Sequence, residues 1–160
     1  MSHFMRSVLL AVAATLFFLP ACDTEVDSCT MLGCADGFRV EFEQAGPWLA
    51  GAYTVEVDLD GSKSSCSVTL PFASCDPPAN CSGDTAAMQV GLSGCALAAS
   101  EHRISGVTVL GKEPKSAKVS ISRDGGGLSS GTYVPVFTSS QPNGAGCEPS
   151  CRTAPAQTLT

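Results

Sequence analysis

The chain has 160 residues, nine cysteines and a formal net charge of −6 at neutral pH. A length of this order predicts one domain that is large enough to bury a proper hydrophobic core. The acidic balance argues against binding to nucleic acid and to anionic lipid headgroups, and its simplest effect is solubility.

The first 22 residues, MSHFMRSVLLAVAATLFFLPAC, have the organisation of a secretory signal peptide. Arg6 supplies the positive n-region, and an apolar run of 12 residues extends from Val8 to Leu19. A helix of that length measures about 18 Å, whereas a membrane-spanning helix needs about 20 apolar residues. We therefore expect residues 1–21 to be removed as a signal peptide.

The end of this segment, Leu19-Pro20-Ala21-Cys22, resembles the lipobox of bacterial lipoproteins, although Pro20 departs from the usual small residue. The resemblance implies acylation of Cys22 and firm attachment to the membrane. Simple secretion with cleavage after Ala21 is the alternative, and it would require the bulky Leu19 at a position that favours small residues. The predicted location is the cell envelope, lipid-anchored to the periplasmic or outer-surface face of a bacterial membrane.

Removal of Cys22 from the count leaves eight cysteines, the even number that a fully oxidised framework requires. In an oxidising envelope they predict four disulfides rather than a four-thiolate zinc site, whose knuckles usually have C-x2-C spacing. The eight are Cys29, Cys34, Cys66, Cys75, Cys81, Cys95, Cys147 and Cys151.

Connectivity is not fixed by the sequence, because eight cysteines allow 105 pairings. If segments 64–71 and 87–95 pair antiparallel, Cys66 lies near Cys95 and Cys75 near Cys81. The two N-terminal and the two C-terminal cysteines could pair locally or across the termini.

Composition divides the mature chain into three parts. Residues 22–37 form the lipidated cysteine and an acidic, loop-like tether. Residues 38–138 are predicted to form a β-sandwich domain. Residues 139–160, rich in Pro, Gly, Ser and Thr, are predicted to be an irregular Cys-containing tail.

Strict alternation of apolar and polar side chains predicts half-buried strands. A further run, Arg103–Leu110, changes phase near Ser105, which indicates a β-bulge. Another, Thr132–Thr138, contains Pro135 and is predicted to be an edge strand. The strictly alternating segments are 38–43, 53–60, 65–70, 88–93 and 117–122.

Hairpin-turn signals occur at Asp60-Gly61 and Asp124-Gly125, and no segment after residue 22 has a sustained helical period. We therefore predict an all-β fold, an antiparallel β-sandwich of about seven strands that disulfides staple together.

Three features that suggest catalysis or metal binding have simpler interpretations. Gly127–Gly131 matches the pattern G-x-S-x-G, but a nucleophile elbow needs a following helix and a downstream histidine, so we expect a Gly/Ser-rich hairpin loop. His102 is the single histidine of the mature chain and is expected on the surface. Asp58–Gly61 lacks the spacing of a calcium loop and is expected to form a hairpin turn.

Trp48, the single tryptophan, lies between the first two predicted strands. Such a residue more often caps one end of a core, although it is also a candidate contact with a partner.

The mature chain resembles small, Cys-rich lipoproteins of Gram-negative bacteria whose activity is uncharacterised. The lipobox, the segment PWLAGAYTVEVDLDG followed by Cys66, and the tail QPNGAGCEPSCR carry this resemblance. The strand pattern is similar to that of immunoglobulin-like or transthyretin-like sandwiches, which implies a fold but no activity.

We expect a membrane-anchored envelope lipoprotein that is not an enzyme and has no cofactor, metal site or nucleic-acid partner. Its role would be to bind an unknown envelope protein or polysaccharide, or to support a structure. The alternatives are a secreted hydrolase that uses Glu41, Glu56 or Asp58, and a secreted inhibitor-like module.

Overall fold

The computed structural model describes residues 29–75, 80–84 and 88–160. The predicted signal peptide, Cys22 and the first part of the tether lie outside these ranges. Among the residues described, none forms a helix that is long and apolar enough to cross a membrane.

Two β-sheets pack face to face around an apolar core, so the predicted all-β, disulfide-stapled sandwich is confirmed. The strands are numbered in chain order. Sheet A contains β1 (Gly37–Phe42), β5 (Met88–Ser93), β6 (Arg103–Leu110), β9 (Thr138–Ser140), β10 (Cys151–Thr153) and β11 (Gln157–Leu159). Sheet B contains β2 (Gly51–Leu59), β3 (Ser62–Leu70), β4 (Asn80–Ser82), β7 (Ala117–Arg123) and β8 (Gly126–Tyr133).

Sheet B is built from hairpins around β2, which pairs antiparallel with both β3 and β7. The predicted turns are confirmed: Asp60 and Asp124 have positive φ angles of 51° and 50°, and a glycine with positive φ follows each. Two successive positive φ angles favour glycine at the second position of such turns. The alternating residues Tyr53, Val55 and Val57 are buried, as the period of two requires.

Sheet A has the order β5-β6-β1-β10-β9, and β11 also pairs with β1. The predicted bulge is confirmed, because Gly91 pairs with Gly106 while Leu92 pairs with Ile104, which leaves Ser105 as the extra residue. A bulge bends its strand and re-aims the local side chains.

The segment predicted as a loop at Gly127–Gly131 is instead part of the edge strand β8, so that prediction is wrong. The predicted edge strand at Thr132–Thr138 is also wrong, because β8 ends at Tyr133 and Pro135 follows it. The Gly and Ser residues of β8 give no apolar alternation, so the sequence does not mark this segment as a strand. The backbone of β8 nevertheless pairs with β7 over nearly its whole length.

The tail 139–160 is not irregular as predicted. It contributes to β9, β10 and β11, and the last two run parallel to β1. Leu159 pairs with Phe42 and is buried, so the C-terminal strand closes one side of the core.

All eight predicted cysteines form disulfides, but in two of the bonds the partners are exchanged relative to the expected pairs. Cys66 bonds to Cys81, and Cys75 bonds to Cys95. On the side away from β2, β3 pairs with the short β4 and not with β5, which lies in the other sheet. Cys66 and Cys81 therefore lie directly opposite each other.

The remaining four cysteines pair across the termini, Cys29 with Cys147 and Cys34 with Cys151. We call these two bonds the clasp. The buried Asn143 reinforces it: its Nδ2 donates to the carbonyl oxygens of Leu32 and Glu148, and its Oδ1 accepts from the backbone N–H of Leu32.

Candidate functional site

The sandwich has two ends that differ in character. The clasp lies at the end where β1 begins, since the N–H of Arg152 donates to Asp36 Oδ1 and Ala154 N–H donates to the carbonyl of Gly37. At the other end of β1 are segments 43–50 and 94–102 and the turn between β7 and β8. We call this the groove end.

A cleft of about 730 Å³ opens at the groove end, and we call it the Trp48 groove. It lies between segment 43–48, the outer face of β1, and the stretch from Gly94 to Ser105. Its lining combines aromatic rings, that of Trp48 among them, with charged groups, which include Arg39, Glu41, Glu43, Glu101 and Arg103. The bulged Ser105 also lines it, which places the sequence-predicted bulge at the site.

Trp48 is held in place by its neighbours. Its ring lies 5.2 Å from that of Tyr53, whose hydroxyl donates to the carbonyl of Leu49 over 2.8 Å. Gln44 Nε2 donates to the carbonyl of Pro47, which closes the same loop. Trp48 is half-buried and packs against the core, as expected for a residue that caps it. It also lines the groove, where part of its ring stays exposed to solvent.

His102 supports the wall opposite Trp48, and the expectation that it lies on the surface is wrong. It is 7% exposed, its Nδ1 accepts the backbone N–H of Phe72 over 2.9 Å, and the two rings stack with centroids 4.8 Å apart. Alternation explains the burial, because Glu101 and Arg103 on either side are exposed. His102 directly precedes β6 and continues the alternation of that strand, which places its side chain on the inward face.

Three of the charged groups in the groove are engaged by neighbours. Arg39 Nε lies 3.3 Å from Glu41 Oε1, and Arg103 Nε donates to Ser93 Oγ over 2.8 Å. Within the described part of the chain, no salt bridge reaches Glu43 or Glu101. Three carboxylates and two guanidinium groups therefore give the groove a negative excess.

A second cavity of about 450 Å³ adjoins the groove, and we call it the apolar cavity. It shares Trp48, Phe42, Glu43 and Gln44 with the groove. The rest of its lining is mostly aliphatic, from both sheets: Leu49, Ile121, Leu128 and Leu159.

Exposed leucines surround these cavities. Leu49 is 54% exposed and Leu128 is 46% exposed, both at the apolar cavity, and Leu97 at the Trp48 groove is 59% exposed. Exposed apolar side chains also occur toward the clasp end, among them Met31 and Val134, so the leucines are relevant here because they line or adjoin the two cavities.

The three sequence-predicted carboxylates are divided between the two sheets. Glu41 is on sheet A in the Trp48 groove, whereas Glu56 and Asp58 are on β2 of sheet B, near Lys63 and Lys118. Ser129, the central serine of the G-x-S-x-G match, lies on a strand with no following helix and donates to the carbonyl oxygen of Thr160. The described residues thus offer no nucleophile elbow at this position.

The oxygens of the predicted Asp58–Gly61 turn are engaged by backbone donors. Asp58 Oδ1 accepts the N–H of Gly61, while Asp60 accepts the N–H groups of Lys115 and Ser116. These bonds fasten the hairpin to the start of β7, which confirms the hairpin-turn interpretation.

The clasp end has its own charged pair. Glu113 accepts two hydrogen bonds from Arg152, from Nε over 3.1 Å and from Nη2 over 2.8 Å, and Arg152 Nη1 also donates to Ser139. The hydrogen bond from Arg152 holds the pKa of Glu113 below its usual range, and the same contact raises the pKa of Arg152. Nearby, Cys34, Asp36 and Cys151 lie close together, but both sulfurs belong to a disulfide, which leaves no thiolate for a metal ion.

Comparison of this chain with protein-family models, with curated proteins and with solved structures gives no significant match. The functional interpretation therefore rests on the geometry of the two ends.

Proposed function

We propose that the protein is a membrane-anchored, non-catalytic binding module of the bacterial cell envelope, a lipoprotein acylated at Cys22 that presents its groove end to an envelope protein or polysaccharide. The observation that carries this proposal is the separation of the two ends. The chain enters the fold at the clasp, and the Trp48 groove lies at the far end of β1.

Simple lengths support this arrangement. Cys22 precedes Cys29 by seven residues, and an extended chain spans at most about 3.5 Å per residue, so the clasp would lie within about 25 Å of the lipid. The six residues of β1 then carry the chain roughly 17 Å away from the clasp. The groove end would stand clear of the membrane surface.

The residues of the groove end favour a binding function over a purely structural one. Tryptophan and arginine are enriched among the residues that contribute most to interface affinity, and both residue types line the Trp48 groove. The sandwich would serve as an accessory domain of the immunoglobulin-like or transthyretin-like kind, with its ligand site in the end loops.

The proposal is tested by site-specific photo-crosslinking in cells that express the anchored protein. A photoreactive residue replaces Leu97 in the Trp48 groove or, as the matched control, Val134, which is 73% exposed near the end of β8. We expect the Leu97 position to give a discrete adduct and the Val134 position to give none. Equal adducts at both positions, or none at either, would contradict a binding function at the groove end.

A further inference from the structure

The Trp48 groove and the apolar cavity form one amphipathic site. They share four residues, and Trp48 stands in the wall between them. A ligand that fills both must present an apolar group and a polar or charged group within a few ångströms of each other. This requirement restricts the chemistry of the ligand more than either cavity does alone.

The apolar cavity fits a large side chain. Its volume of about 450 Å³ is within the usual range of ligand pockets, and aliphatic groups from both sheets line it. Leu49 and Leu128 at this cavity are about half exposed, so an inserted hydrocarbon group would remove their surface from water. Burial of that kind contributes roughly 25 cal/mol for each Å² of apolar surface.

The charges define the second group. Glu43 lines both cavities, and its backbone N–H donates to the carbonyl of Leu159, which fixes its place at their junction. No salt bridge reaches Glu43 within the described residues, whereas Arg123 in the apolar cavity lies 3.8 Å from Asp124. The group that suits the junction is therefore a cation.

We propose that the groove end binds an extended segment of a partner protein that inserts one bulky apolar side chain into the apolar cavity and places a Lys or Arg side chain against Glu43. In an extended chain, side chains two residues apart lie on the same face, about 7 Å from each other. The recognised pattern is thus a bulky apolar residue and a cationic residue separated by one position. This inference rests on the proposed binding function and names the partner class for the same site.

Other ligands fit the site less well. A polysaccharide offers no bulky aliphatic group for the cavity formed by Ile121, Leu128 and Leu159. A fatty acid offers the hydrocarbon, but the cation of the apolar cavity, Arg123, already lies beside Asp124, and a carboxylate at the junction would meet Glu43 as a like charge.

Trp48 provides the readout, because it is the single tryptophan of the chain and stands between the two cavities. The full mature protein is titrated with capped hexapeptides in which Leu, Ile or Phe stands two positions before Lys or Arg. The comparison probes are the same peptides with Ala for the apolar residue or Glu for the cation, an N-acetylglucosamine tetramer, and laurate.

We expect a saturable change in Trp48 emission with the apolar-x-cation peptides and at least a tenfold weaker affinity after either peptide substitution. Glu43→Gln should weaken the binding of the Lys peptide about fivefold or more. It should leave unchanged the affinity for a peptide in which Gln replaces that Lys. Glu56→Gln, on the outer face of sheet B, is the matched control and should change neither.

The inference is overturned if no peptide shifts the emission, if the tetramer or laurate saturates instead, or if E43Q binds the Lys peptide as the unsubstituted protein does. Binding of the tetramer alone, together with a Leu97 adduct in cells, would preserve the binding function and refute the protein partner. Absence of the Leu97 adduct would instead contradict the proposed binding function itself.

Discussion

His102 holds the inner wall of the Trp48 groove through a buried hydrogen bond. Replacement by alanine would leave the N–H of Phe72 without its acceptor and remove the stacked ring. Both losses fall on buried groups, so we expect His102→Ala to lower the free energy of unfolding by about 2–4 kcal/mol. Urea unfolding without reductant, followed by Trp48 emission, measures the change.

Glu101 provides the control for this substitution. It precedes His102 but is exposed, so Glu101→Ala should change stability by no more than about 0.5 kcal/mol. Equal effects of the two substitutions would show that His102 does not have the structural role assigned to it.

The Glu113–Arg152 pair at the clasp end should make stability depend on pH. Because the folded pKa of Glu113 is lowered from 4.5, its ion pair contributes above that value and is lost as the pH falls through the folded pKa. We expect Glu113→Gln to lower Tm at pH 7 by a small amount, and the two proteins to converge in acid. Both groups are exposed, so high salt should also reduce the difference. A difference in Tm that is constant from pH 7 into acid would exclude this linkage.

The C-terminal strand β11 is a structural element and not a frayed tail. Leu159 is buried between the two sheets, whereas its neighbour Thr158 is exposed. Leu159→Ala should therefore cost about 2–5 kcal/mol of unfolding free energy, and Thr158→Ala no more than about 0.5 kcal/mol. Urea unfolding of both variants decides the matter, and an unchanged midpoint for Leu159→Ala would mean that β11 frays in solution.

Elements with one buried face could be predicted from the sequence, and elements without one could not. The alternating segments from 38–43 to 117–122 became strands because their apolar residues face the core. The strand β8 escaped prediction because Gly126–Tyr133 has almost no apolar side chains. Its order comes from backbone pairing with β7, which leaves no periodic signal.

The disulfide pairing was unpredictable for a related reason. The strand β4 has only three polar or Cys residues, Asn80–Ser82, so nothing in its sequence marks it as the partner of β3. Because the sequence does not mark β4 as a strand, β5 is the next predicted strand that could pair with β3. The expected partner of Cys66 was therefore Cys95 and not Cys81.

The candidate site was visible in part. The sequence marks Trp48 as a candidate partner contact and Glu41 as one of three carboxylates for the alternative hydrolase, and both line the groove. Glu43, Glu101 and the role of His102 were not recognised. These residues come together only when β1 pairs with β6, which brings segments about 60 residues apart into one cleft, and no local pattern reports such a contact.

The clasp acts on the molecule as a whole, because it joins segments 118 and 117 residues apart. While one clasp bond is intact, the other closes only a short loop through it. On a chain-entropy model, removal of either bond should cost about 3 kcal/mol, and removal of both about 8 kcal/mol, since the long loop then opens. The loss from the pair should thus exceed the combined single losses.

Paired Cys→Ser variants measured by urea unfolding test this non-additivity. The clasp variants are C29S/C147S and C34S/C151S, singly and together, and C75S/C95S combined with C29S/C147S is the control. The control combination should be additive, because with Cys34–Cys151 intact the Cys29–Cys147 bond closes only the short loop, which does not contain Cys75 or Cys95. Additive losses for the two clasp bonds would show that they do not act as one device.

The proposed anchored, four-disulfide organisation would place the lipid at one end of the molecule and the Trp48 groove at the other. Its most direct test is the mass of the protein extracted from its own membranes without reduction, with a thiol-alkylating reagent present, followed by mapping of the cross-linked peptides. We expect an acylated N-terminal Cys22, no alkylated thiol, and the pairs 29–147, 34–151, 66–81 and 75–95. An unacylated chain, free thiols, or local pairs 29–34 and 147–151 in place of the clasp would contradict it.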